Sequence, residues 1–176
     1  MLKKPWFAAI LCVIVVLSST VISVHRSLDA DCETTRHIFD APDGIAEQLD
    51  KVCSAGSGIV KLAEKYGLDE FSTYEGAELC TSVRFAVSEA EPSELYDLYR
   101  ILLTRVDELR TSLRMKDLST EDQKLLDAYE ADYVAAQQAI GSSGYNPSVN
   151  QFLKNLGGFS RFFARLCGVR LPEQFA

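Results

Sequence analysis

Cysteine and histidine are the residues of this 176-residue chain best suited to metal, redox or nucleophilic chemistry, and it holds five of the first and two of the second. Cys12 lies in an apolar N-terminal run, and Cys32, Cys53, Cys80 and Cys167 follow it. Four cysteines permit three pairings, and a disulfide is allowed wherever the chain meets an oxidising compartment. If the helices carrying Cys32 and Cys80 run antiparallel, these two thiols approach at similar heights, with Cys53 near the opposite turn. Cys80 also shares an apolar face with Leu79 and Val83, where a buried free thiol is common. The pairing therefore stays open.

His25 and His37 have no partners at the spacings H-E-x-x-H or E-x-x-H that would seat a metal, so each reads as a surface histidine. Gly56-Ser57-Gly58 has no third glycine, no following Lys-Ser/Thr and no preceding strand. It reads as a turn between helices and not as a phosphate cradle. The acidic pairs Asp69-Glu70, Asp107-Glu108 and Glu121-Asp122 fall near helix starts or on exposed faces, where carboxylates complement the helix dipole and stay solvated. Serine, threonine and cysteine nucleophiles have no base placed beside them. The expectation is a non-enzymatic protein with no catalytic residue, no metal ligand, no cofactor-binding residue and no cofactor.

Charge is divided by region beneath the net −7. Met1 to Arg26 carries three basic and no acidic residues, Ser27 to Ile140 carries 11 basic against 24 acidic, and Gly141 onward is net +3. An acidic body argues against nucleic acid as a partner. After Lys3 and Lys4, the stretch WFAAILCVIVVLSSTVIS holds no charge until His25 and Arg26. Trp6 to Val24 as a helix reaches about 28 Å, close to a bilayer's hydrocarbon thickness. Val21-Ile22-Ser23 is a poor signal-peptidase site, which favours an uncleaved anchor over a secreted domain released by cleavage. Lys3 and Lys4 on the short side, with Asp29, Asp31 and Glu33 soon after the run, place the bulk of the chain outside the cytoplasm. The expected location is the cell membrane, single-pass.

Past the anchor the spacing is helical. Leu95, Tyr99, Leu102, Val106, Leu109 and Leu113 form a heptad seam, in a helix opened at Pro92-Ser93-Glu94 with Ser93 as N-cap. The stretch KDLST closes it, and Ser119 caps the next helix, whose inner face is Leu125 or Leu126, Tyr129, Tyr133, Ala136 and Ile140. Two earlier helices are expected from about His25 to Cys53, disturbed at Ala41 to Gly44, and from about Ile59 to Ala90, weakened at Gly67. CSAGSG would be the hairpin turn between them. The fold class is all-α, an N-terminal transmembrane helix followed by an elongated antiparallel four-helix up-down bundle. The alternative divides the chain at Pro42 or Gly67 into five or more helices. The domains are 1–26 anchor, 27–158 bundle and 159–176 basic aromatic tail.

After a break at Gly141 to Gly144, Tyr145, Val149, Phe152 and Leu156 resume the apolar spacing, and Pro147 suits the first turn of a restarted helix. YNPSVNQFLKNLGGF, followed by Ala164, Gly168 and Phe175, resembles the carboxy-terminal signature of LemA family proteins. Tyr145, Asn146, Val149, Phe152, Leu156 and Phe159 match in register, while Leu153 and Ser160 depart from the family's asparagine and proline. RSLDAD and GIVKLAEKYGL also look like the short membrane-anchored members. The resemblance implies a membrane helix, an elongated helical bundle and no catalytic residues to carry over.

In the tail, Phe159, Phe162, Phe163 and Leu166 make an apolar face beside Arg161 and Arg165. That face suits either lipid headgroups or the bottom of the bundle core. The functional expectation is an interaction or scaffold module of the bacterial cell envelope, with the membrane and an unidentified protein as partners. Self-assembly as a homo-oligomer through a shared heptad seam is the alternative.

Overall fold

The computed structural model describes residues 5–158, 161–162, 164 and 168–176. Among these residues there are helices and no strands. The helices are α1 (Pro5–Asp40), α2 (Ile45–Lys65), α3 (Glu70–Glu89), α4 (Pro92–Arg114), α5 (Thr120–Ser142) and α6 (Tyr145–Asn155).

α1 has two characters along one unbroken helix of 36 residues. Its N-terminal apolar stretch is long and apolar enough to cross a membrane, and Ile10, Val13, Val16 and Ile22 are exposed. Its second half packs through Leu28, Thr35 and Phe39, with Val24 and Cys32 partly buried beside them. Those five positions recur every three or four residues, the spacing of a single helical face.

α2 is the centre of the fold, packing on α3, α4 and α5 and touching α1. Lys65 and Tyr66, at its end, meet Asp122 at the start of α5, and Gly58 in its middle faces Tyr129. Asp50 and Ser54 bond Arg84 late in α3, whereas Val60 faces Gly76 early in it. The α4 seam is buried at all six expected positions. Each such side chain removed from water contributes roughly 1.5–3 kcal/mol. On α5, Leu126, Tyr133, Ala136 and Ile140 are buried, and Leu125 faces outward.

Four local expectations are corrected. CSAGSG is no turn: Cys53 to Gly58 lies inside α2 and is largely buried. Glycine costs a helix about 1 kcal/mol relative to alanine, but here its missing side chain makes room for a neighbour. A Cβ at Gly58 would sit 2.6 Å from the Tyr129 ring. The true turn is Gly67, at φ 62°, where the Gly67 N–H donates to Glu64 O and the Leu68 N–H to Ala63 O, a Schellman cap. Helices expected to be merely disturbed at Ala41 to Gly44 and at Gly67 are fully divided there, as in the alternative with more than four helices. Ser93 does not cap α4: Glu91 holds the N-cap position with Pro92 following, and the Ser93 hydroxyl donates to Glu173 instead. Ser119 does cap α5, accepting the Asp122 N–H at 3.2 Å.

The break after Ile140 is short. α5 runs on to Ser142, Gly144 precedes α6, and α6 packs on α1. Tyr145, Val149 and Leu156 are buried and Phe152 partly so. The 26/27 boundary falls inside α1 with no break in the helix.

Candidate functional site

A set of specific contacts joins residues 173–175 to the first half of α6. Gly168, at φ 68°, turns the chain, and residues 168–176 run without regular structure across α6, α4 and the end of α1. Asn146 holds this strap by its backbone: its side-chain NH2 donates to the Phe175 carbonyl at 2.7 Å, and the Phe175 N–H donates to its Oδ1 at 2.8 Å. The Tyr145 hydroxyl donates to the Glu173 carbonyl at 2.8 Å, and the Gln174 amide donates to Asn150.

Phe175 is 3% exposed and enters a cluster of rings from three elements. Its centroid lies 5.1 Å from Tyr96 at 80°, 5.6 Å from Tyr99 and 6.1 Å from Phe39, and Phe39 stands edge-on to Tyr145 at 5.2 Å. Such edge-to-face pairs add about 0.5–1.5 kcal/mol beyond the area they bury. Burial pushes the Tyr145 phenol up to about 12; nearby Glu91, Asp40 and Glu173 add to the shift and Arg36 opposes it. Burial likewise raises Tyr99 to about 12. The Tyr145 hydroxyl is therefore a protonated donor at neutral pH.

Beside the strap, a cavity of about 320 Å³ opens between α1, the α3–α4 turn and residues 170–173. Cys32, Arg36, Phe39, Glu91, Arg170 and Glu173 line it, and the Arg170–Glu91 pair at 2.9 Å closes one side. The Cys32 thiol is pushed up by burial first and then by Asp29 and Asp31, so it stays protonated and weakly nucleophilic. Neither histidine lines this cavity. The arrangement holds elements together and offers a partly enclosed recess of mixed polar and apolar lining.

The remaining residues singled out by sequence are dispersed. His25 bonds Asp29 at 2.8 Å, one turn along the outside of α1, and His37 is exposed on the same helix. Among the described residues, no group of three or more His, Cys, Asp or Glu could hold a metal ion. Asp69 caps α3, accepting the Ser72 N–H at 2.9 Å. Asp107 and Glu108 pair with Arg110 and Arg105.

Asp122 departs from the expectation of a solvated carboxylate, being 4% exposed. It accepts from Lys65 at 2.7 and 2.8 Å, from the Tyr66 hydroxyl at 2.6 Å and from the Ser119 hydroxyl at 2.6 Å. Those bonds, led by Lys65, hold its carboxyl well below the usual range. Charged and hydrogen-bonded, it ties the end of α2 to the start of α5.

Cys32 and Cys80 do not meet. Cys32 packs beside Leu28, whereas Cys80 faces Cys53. Phe162 of the aromatic tail is exposed and Arg161 donates to the Leu153 carbonyl. Phe159, Phe163, Arg165, Leu166 and Cys167 lie outside the described residues, as do Lys3 and Lys4.

No family model matches the chain, and neither a curated protein nor a solved structure does.

Proposed function

We propose that this chain is a single-pass membrane protein of the LemA type. α1 anchors it, and α2 to α5 form an antiparallel up-down bundle outside the cytoplasm. The bundle serves as a non-enzymatic interaction or scaffold module of the bacterial cell envelope. The observation that carries this reading is the two-part α1: an exposed apolar run continuing, without a linker, into a helix packed on the folded body. Each exposed Val or Ile there would be stabilised by roughly 1.5–3 kcal/mol on leaving water, and a bilayer provides that environment over the full length of the run.

The strap supports the LemA resemblance, because Tyr145 and Asn146 from the matched motif bind the backbone of the segment that carries Phe175. The acidic outer faces of the bundle would receive a protein partner. Arg161 and Phe162, close in sequence to the Leu28–Leu156 cluster, would lie near the lipid headgroups.

The test is protease treatment of intact cells carrying a tagged full-length chain, with its mass measured in parallel. External digestion to an anchored stub, from a starting chain of full mass, upholds the reading. Protection of the body in intact cells, or a mass shortened by signal cleavage, overturns the anchored extracytoplasmic arrangement.

A second reading, self-association, draws on one observation: Phe71, Tyr74 and Phe85 are exposed along one side of α3. A mass that rises with concentration for the wild-type protein, and not for the F71S/F85S variant, would favour it.

A further inference from the structure

We propose that Cys53 and Cys80 are a disulfide-forming dithiol that staples α2 to α3 across the middle of the core. Both thiols are buried, 0% and 1% exposed, on α2 and α3 where these helices pack together, and the Cys80 Sγ lies against the α2 backbone at Gly56, one turn from Cys53. Two close approaches lie beside the pair, both toward the C-terminal end of α2. One turn beyond Cys53, a Cβ at Gly56 would stand 3.3 Å from the Cys80 Sγ. One turn before Cys80, a Cβ at Gly76 would stand 3.0 Å from Val60. Glycine on each helix thus lets the two backbones approach closely on that side of the thiols, and a disulfide needs close backbones because it spans Cα atoms about 4.4–6.8 Å apart.

The surroundings differentiate the two sulfurs. The interaction of the two thiols with each other raises Cys53 and lowers Cys80. Ser57 and the Arg84 charge lower Cys80 further, against its burial. Arg84 is held over the pair by Asp50 at 2.8 Å and Ser54 at 2.6 Å. Cys80, one helical turn from the Arg84 guanidinium on the same face of α3, is assigned the first attack and Cys53 the resolving step.

With a small-molecule disulfide as oxidant, the Cys80 thiolate attacks one sulfur of that disulfide. Its S–S bond breaks, one thiolate leaves, and a mixed disulfide remains on Cys80. Cys53 then loses its proton to solvent and attacks the Cys80 sulfur, releasing the second small thiolate. Two protein thiols are oxidised and one external disulfide is reduced to two thiols. The first attack requires local opening of α3, and once the helices close the bond lies out of reach of reductants.

The test uses the full-length chain in detergent. It is fully reduced, then incubated with oxidised glutathione either under native conditions or in mild urea, added to promote local opening. Remaining thiols are alkylated in denaturant before tryptic digestion. Lys51, Lys61, Lys65 and Arg84 bound the fragments 52–61 and 66–84, which carry one cysteine each. The expected result is a linked 52–61/66–84 pair in at least one arm, a thermal midpoint about 5–10 °C above the reduced protein, and stalling of Cys53→Ser at the glutathione adduct on Cys80. Both cysteines alkylated in both arms, or Cys80 linked to Cys32, overturns the proposal. The chemistry is read on purified protein, so it stands or falls independently of the compartment assigned above.

Discussion

Asn146 recognises Phe175 as one peptide strand recognises another, giving a donor to its carbonyl and an acceptor to its N–H. Any residue can present those backbone groups, so the specificity of the contact comes from the ring: Phe175 must fill the space between Tyr96, Tyr99 and Phe39. Backbone clamp and aromatic socket together fasten a strap that reaches α1, α4 and α6 at once.

Asn146→Ala removes both bonds and should cost about 2 kcal/mol, at roughly 1 kcal/mol for each net hydrogen bond. The Phe175 amide should then exchange with solvent far faster, while amides in the middle of α2 keep their protection. Hydrogen exchange by mass spectrometry on the C-terminal peptide reads both. Unchanged exchange at Phe175 would show that the clamp contributes little.

Phe175→Ala should cost about 3–5 kcal/mol, the usual range for a buried phenylalanine. Phe85→Ala, at an exposed position, should lie within about 0.5 kcal/mol of wild type. Comparing the two thermal midpoints in detergent separates the ring that closes the core from one that does not.

Gly58→Ala sets two opposing effects against each other. Alanine gains about 1 kcal/mol of helix propensity, while displacing the Tyr129 ring costs about 1–3 kcal/mol. The single variant should be neutral to destabilised. In a Tyr129→Ala background the same change should stabilise by about 1 kcal/mol, and a double-mutant cycle measures that reversal of sign. A helix turn at this position would give no dependence on Tyr129.

Asp122 gives the protein an acid-sensitive joint. Its folded-state pKa is depressed, so its contribution is fully present above the unfolded carboxylate value of about 4. It is lost as pH falls toward the folded value, when protonation breaks the tie to Lys65. Lys65 moves the opposite way: its pKa is raised, chiefly by the bond to Asp122. Its contribution is present below about 10.5 and is lost as pH rises through the folded value. Between these limits the pair is insensitive to pH. Denaturation midpoints of wild type should fall between pH 4 and 2 more steeply than those of Asp122→Asn, and equal slopes would remove the carboxylate from the account.

The α4 seam was readable in sequence because a heptad spacing contains its own geometry: the six residues that recur are the six that are buried. The Ser119 cap was readable for a similar reason, since capping involves neighbours only three residues apart. CSAGSG misled because glycine's cost to a helix is local and visible, whereas the rings and sulfurs that occupy the space come from residues far along the chain. The buried face of α1 was present in the spacing of Val24, Leu28, Cys32, Thr35 and Phe39, yet polar residues and the adjacent apolar run obscured it. The strap was beyond sequence reading in its mechanism. Tyr145, Asn146 and Phe175 stood out by resemblance, but nothing local says that an asparagine will clasp a backbone 29 positions away.

Because α1 passes from its exposed apolar run to Leu28 and Phe39 without interruption, the direction in which the folded body faces is set by a screw. Each residue inserted into α1 between Ile22 and Leu28 would swing the whole body about 100° around the helix axis and lift it about 1.5 Å. Four inserted residues would nearly restore the original bearing one turn higher. The number of residues in that stretch therefore acts as a compass setting, fixing which side of the body lies above which face of the apolar run.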